Sequence, residues 1–131
     1  MEKEFVKLWE ENKESVKEWI SNVEDQSELD YGDFVENLFK ICFDEWDSSE
    51  ITELDHGDYQ GTKVWLIHRK TYQPCETDYV WTTDYYGSCS GCDTLQAISD
   101  YDNGKPNEEQ VKDYMGLMLN LVQKIKYLSK D

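Results

Sequence analysis

The chain has 131 residues, room for one domain with a buried core, and 38% of them are apolar. No stretch of about 18 apolar residues occurs, so no membrane-spanning helix is expected. The formal net charge of −16, from 29 acids and 13 bases, removes the basic stripe that direct binding to a phosphate backbone needs.

The N-terminal residues, Met1-Glu2-Lys3-Glu4-Phe5, are charged and lack the apolar run of a secretory signal. A cytoplasmic protein is expected, with its four cysteines as thiols or metal ligands rather than disulfides. From Lys3 to Val23, Phe5, Leu8, Trp9, Val16, Trp19, Ile20 and Val23 recur at helical spacing. The polar stretch Asn22 to Glu28 is a turn. Asp30, with Asp33 three residues later, opens a second helix by capping. Its apolar side runs through Phe34, Val35, Leu38, Phe39, Cys42, Phe43 and Trp46. Cys42 inside that stripe reads as a small buried hydrophobe.

Asp47-Ser48-Ser49-Glu50 ends the helix, Ile51 to Leu54 reads as a short strand, and His56-Gly57-Asp58 and Gln60-Gly61 are turn signals. Thr62 to Arg69 is the clearest strand: Val64, Leu66 and His68 face one way, Trp65, Ile67 and Arg69 the other. After a loop with Pro74 and Cys75, Tyr79 to Tyr86 forms a third strand. Such short connections favour an antiparallel meander. Ser90, with Asp93 three residues on, can cap a short helix through Leu95, Ala97, Ile98 and Tyr101. Asp102 to Pro106 stops it. Asn107 and Gln110 then form a capping box for a last helix, whose apolar face extends from Val111 to Leu128 and whose end carries Lys124, Lys126 and Lys130. The expected fold is α+β: one domain over residues 1–131, with a three-stranded antiparallel meander packed by about four helices. Residues 1–60 make an acidic helical half, and 61–131 hold the sheet, a cysteine corner and the C-terminal helix.

Charge is concentrated in the first half. Residues 1–60 carry a net −14 and the remainder only −2; Glu24 to Asp58 holds thirteen acids against Lys40 alone. Carboxylates spread over a helix face and an adjoining strand imitate phosphates along a duplex, so a basic or nucleic-acid-binding protein is the implied partner. The candidate partner-binding residues are Asp30, Asp33, Glu36, Asp44, Glu45, Asp47, Glu50, Glu53, Asp55 and Asp58. A plain solvated surface is the competing reading.

The stretch from Thr82 to Leu95 carries the other candidate chemistry. Cys89-x-x-Cys92 has the spacing of half a zinc site. Its remaining ligands would have to come from Cys75, His68, His56 or Cys42. Under a simple hairpin, a strand of about 25 Å at ~3.3 Å per residue separates Cys75 from Cys89, and no second ligand pair of the usual kind follows. Redox use of the pair is opposed by the meander pattern and by Asp84 and Asp93 nearby. A tight structural loop of small residues is the plainer alternative. His68 shares a strand face with Val64 and Leu66, where a hydrogen-bonded core histidine is commoner than a catalytic one. Tyr85, Tyr86 and Asp93 are the residues that would line a small-molecule pocket, but no base–nucleophile pair marks an enzyme.

The run Tyr86-Gly87-Ser88-Cys89-Ser90-Gly91-Cys92-Asp93-Thr94-Leu95, the later Asn103-Gly104 break and the helix Glu108-Glu109-Gln110-Val111-Lys112-Asp113-Tyr114 resemble a group of small uncharacterised proteins of tailed bacteriophages. The similarity spans the chain from Lys63 onward. It implies a phage setting and a bacterial host cytoplasm, and it attaches no activity. By analogy of class it favours a non-enzymatic inhibitor of a host defence or restriction complex. The alternatives are a zinc-stabilised module at Cys89 and Cys92, and a small-molecule-binding protein or enzyme at the Tyr85–Asp93 corner.

Overall fold

The computed structural model describes residues 2–57, 61–87, 93–99 and 104–129. In chain order the elements are α1 (Lys3–Ser21), α2 (Tyr31–Cys42), β1 (Thr52–Gly57), β2 (Gly61–His68), β3 (Tyr79–Tyr86), α3 (Thr94–Ser99), α4 (Glu108–Gln123) and β4 (Lys126–Tyr127). Single 3-10 turns lie at Gln26–Glu28 and Glu76–Asp78. The α+β class is as expected, but among the described residues the sheet has four strands rather than three, in the order β1-β2-β3-β4 and antiparallel throughout.

The additional strand comes from the end of the last helix. Helical spacing of apolar residues continues to Leu128, yet α4 stops at Gln123 and Lys124 caps it. Lys126 and Tyr127 then pair with Trp81 and Val80 of β3. Packing decides this. The Tyr127 ring lies 6.2 Å from Phe5 and 6.1 Å from Trp46, and its hydroxyl donates to Glu4 at 2.6 Å. A continued helix would forfeit that aromatic cluster. Lys126 therefore belongs to a strand and not to a helix terminus.

Both expected capping boxes form. The Asp33 N–H donates to the Asp30 carboxylate at 3.1 Å, and the Asp30 N–H to Asp33 at 3.0 Å. Asn107 and Gln110 exchange the equivalent bonds at 2.8 and 2.9 Å. Each cap contributes about 1 kcal/mol by satisfying N–H groups that a helix start leaves open. Gln26, buried in the α1–α2 turn, donates to Gln110 at 3.2 Å and accepts from the Tyr114 hydroxyl at 2.9 Å, which ties that turn to α4.

The helices cover one face of the sheet. Trp65 and Ile67 of β2 and Val80 and Thr82 of β3 are buried beneath them. Trp65 meets Tyr31 of α2, and the Thr82 hydroxyl donates to the Leu121 carbonyl of α4 at 2.7 Å. The alternation expected for β2 is present, but the core face is that of Trp65 and Ile67. Val64, Leu66 and His68 occupy the outer face and are half-buried. His68 is thus not a core histidine. Thr82→Val should cost about 1–2 kcal/mol in urea unfolding, because the helix carbonyl loses its buried donor. Thr82→Ser, which restores a hydroxyl, should recover part of it.

Candidate partner-binding surface

The acidic segment follows the chain from the α1–α2 turn, along the exposed side of α2, through the α2–β1 loop and onto β1. Asp30, Glu36, Asp44, Glu45, Glu50, Glu53 and Asp55 are exposed, and Asp33 and Asp47 are half-buried. Asp58 lies outside the described residues. Two grooves flank the N-terminal half of α2. One, of about 350 Å³, is lined by Asp30, Glu36 and Glu53 with Ile51 and Trp65. The other, of about 450 Å³, is lined by Glu24, Asp25, Glu28 and Asp33 beside Trp19 and Leu29. Gly32 also lines the first groove, where a β-carbon would lie 3.2 Å from the Asp30 carboxylate and 3.3 Å from that of Glu53.

Not all of this charge is idle. Asp30 and Asp33 cap α2, and Asp47 accepts from the Ser49 N–H at 3.0 Å. Glu45 takes Arg69 at 3.2 Å, while the Arg69 guanidinium lies 4.5 Å over the Trp46 ring. Glu53 accepts the indole N–H of Trp65 at 2.8 Å and faces Lys63 at 3.8 Å. Asp55 accepts from the Tyr86 hydroxyl at 2.7 Å. Glu28, Glu36 and Asp44 make no side-chain hydrogen bond or ion pair among the described residues. They are among the carboxylates available to a partner, as is exposed Glu24 in the second groove.

Asp47, Glu50 and His68 bring one donor atom each within 4.8 Å of one another. His68 Nδ1 lies 2.6 Å from the Arg69 carbonyl, so Nδ1 carries the proton and Nε2 faces Glu50 at 2.9 Å. The Arg69 carbonyl raises the imidazole pKa above its ordinary value, and Glu50 and Asp47 add to this. A group with a raised folded pKa contributes fully below its unfolded value near 6.5 and loses that contribution as pH rises through the folded value. Wild-type stability should therefore fall as pH rises above about 6.5, and His68→Gln should flatten that step in thermal unfolding.

Cys89 and Cys92 lie outside the described residues. Cys75 is exposed in the turn before β3, near the His68 end of the sheet. Gly87 and Asp93, the described residues flanking the cysteine pair, lie at the other end of β3, eight strand residues away. Cys42 is buried in α2, and burial pushes its thiol pKa up to about 12. It behaves as core.

At the corner, Tyr85 and Tyr86 point to opposite sides of β3. Tyr85 is half-exposed on the outer face, and Tyr86 reaches Asp55 on the helix side. Asp93 is buried against α2 instead. It accepts from the Tyr31 hydroxyl at 2.9 Å, the Gly87 N–H at 2.9 Å and the Gln96 N–H at 3.1 Å. The Leu95 N–H donates back to the Tyr31 oxygen at 3.1 Å. Asp93 is therefore the cap of α3, the role expected of Ser90, which lies outside the described residues. The Tyr31 link had no local signal in the sequence, since the two residues are 62 positions apart.

No helix among the described residues is long and apolar enough to cross a membrane. No protein-family model, curated protein or solved structure matches the chain.

Proposed function

We propose that this chain is an acidic, non-enzymatic binding protein that docks on a basic, nucleic-acid-binding protein of a bacterial host and occupies the surface meant for nucleic acid. The observation that carries this reading is the acidic surface over α2, the α2–β1 loop and β1, interrupted by exposed Lys40, with two acidic grooves and with Glu28, Glu36 and Asp44 left without side-chain partners among the described residues. Structural duties account for Asp30, Asp33, Asp47 and Glu53, but not for those three. Their desolvation against lysines or arginines would favour association, and the field of a net −16 chain would steer the encounter. The resemblance of the cysteine corner to phage proteins fits the same setting, in which a host defence or restriction complex is the target.

The test is capture from a bacterial lysate on the immobilised protein, run beside a variant carrying Glu28→Lys, Glu36→Lys and Asp44→Lys. The expected result is a basic protein retained by wild type at low salt, released by duplex DNA and absent from the variant. Equal retention by both would refute the reading.

A further inference from the structure

Resting on that reading, we infer that β1 is a docking edge: an extended segment of the partner, alternating basic and apolar residues, adds to the sheet as a fifth strand. Three features of β1 converge on this.

β1 is the first strand in the sheet order, and all six of its residues are exposed. In an antiparallel ladder alternate residues turn both N–H and C=O away from their partner strand. That row of groups is open along β1 among the described residues, which makes it a template for another chain.

The two sides of the edge differ in chemistry. On the helix side stand Glu53 and Asp55, beside the groove that Asp30 and Glu36 help to line. On the outer side Leu54, 51% exposed, sits in register with Val64 and Thr83, and Thr52 with Leu66 and Trp81. The described helices pack on the opposite face, so this apolar row continues across the sheet from the edge. A strand added to β1 would place every second side chain in the acidic groove and the others beside Leu54. Period-two alternation of Lys or Arg with Val, Ile or Tyr satisfies both sides at once.

The charge selects the occupant. A second copy of this chain would bring its own Glu53 and Asp55 against the same carboxylates, and inward-facing edge charges are a common guard against such self-pairing. The same charges attract a basic strand.

The test uses a short peptide in which lysine alternates with valine, and a control in which each valine is replaced by proline. The control keeps the charge but cannot pair as a strand. Binding is followed by amide chemical shifts and hydrogen exchange at low salt. The expected result is that the alternating peptide slows exchange at the outward amides of β1 and binds about tenfold more tightly than the control. The double variant Glu53→Gln and Asp55→Asn keeps acceptors for Trp65 and Tyr86, so the fold is preserved, and it should weaken the peptide about tenfold. Equal binding of both peptides without protection of β1 would overturn the edge and leave the acidic attraction standing. Binding of neither would overturn both.

Discussion

Asp93→Ala should cost about 3–5 kcal/mol of folding stability in urea unfolding. The carboxylate is buried and holds three elements together: Tyr31 from α2, Gly87 at the end of β3 and Gln96 in α3. Alanine leaves a hydroxyl and two backbone N–H groups without their acceptor, and each buried orphan costs about 1–3 kcal/mol. Typical domains have only about 5–15 kcal/mol in total, so the variant should be visibly destabilised. Asp93→Asn should fall between. Its amide oxygen can still serve Tyr31 and Gln96, but its NH2 would face the Gly87 N–H. Tyr31→Phe should cost about 1–3 kcal/mol, since the Leu95 N–H loses its acceptor and Asp93 a donor. A change below about 1 kcal/mol for Asp93→Ala would mean that the corner is not held as described.

Charge reversal at Glu28, Glu36 and Asp44 should do the opposite: large on binding, small on folding. Each reversal changes the charge by two, so the triple variant moves the formal net charge from −16 to −10. Partner affinity at low salt should drop roughly 10- to 100-fold through lost steering and new like-charge contacts. Stability should stay within about 0.5 kcal/mol per site, because none of the three makes an internal side-chain bond among the described residues. Self-repulsion in the folded state also decreases, so the melting temperature should hold or rise. Asp33 and Glu45 are poor choices for the same purpose. Reversing Asp33 breaks the α2 cap, and reversing Glu45 strands Arg69 beside Trp46, so lost binding would be confused with lost structure.

Local chemistry made much of this architecture legible. The capping boxes at Asp30 and Asn107 are contained within four residues each, and the alternation of β2 and β3 is contained within eight. What sequence spacing could not decide was the side of the sheet that faces the helices. Both faces of β2 are apolar, Trp65 and Ile67 on one and Val64 and Leu66 on the other, so periodicity is satisfied either way. The choice is made by Tyr31, Leu121 and the other helix residues that arrive from distant sequence. The end of α4 was hidden for a related reason. Ile125 and Leu128 keep helical spacing, but pairing with Trp81 and the pocket for Tyr127 exist only in the folded chain. The acidic segment was plain in the composition. Its division into structural carboxylates and available ones was not, because Trp65, Arg69 and Tyr86 lie 12 to 31 residues from the acids they engage.

The most direct test of the acidic-surface account is the affinity of the wild-type chain for its captured partner across a salt series of about 50 to 200 mM. The account predicts a steep loss of affinity as salt rises, and a much shallower slope for the Glu28, Glu36 and Asp44 reversal variant. An affinity that stays flat across the series, or an identical slope in the variant, would contradict it.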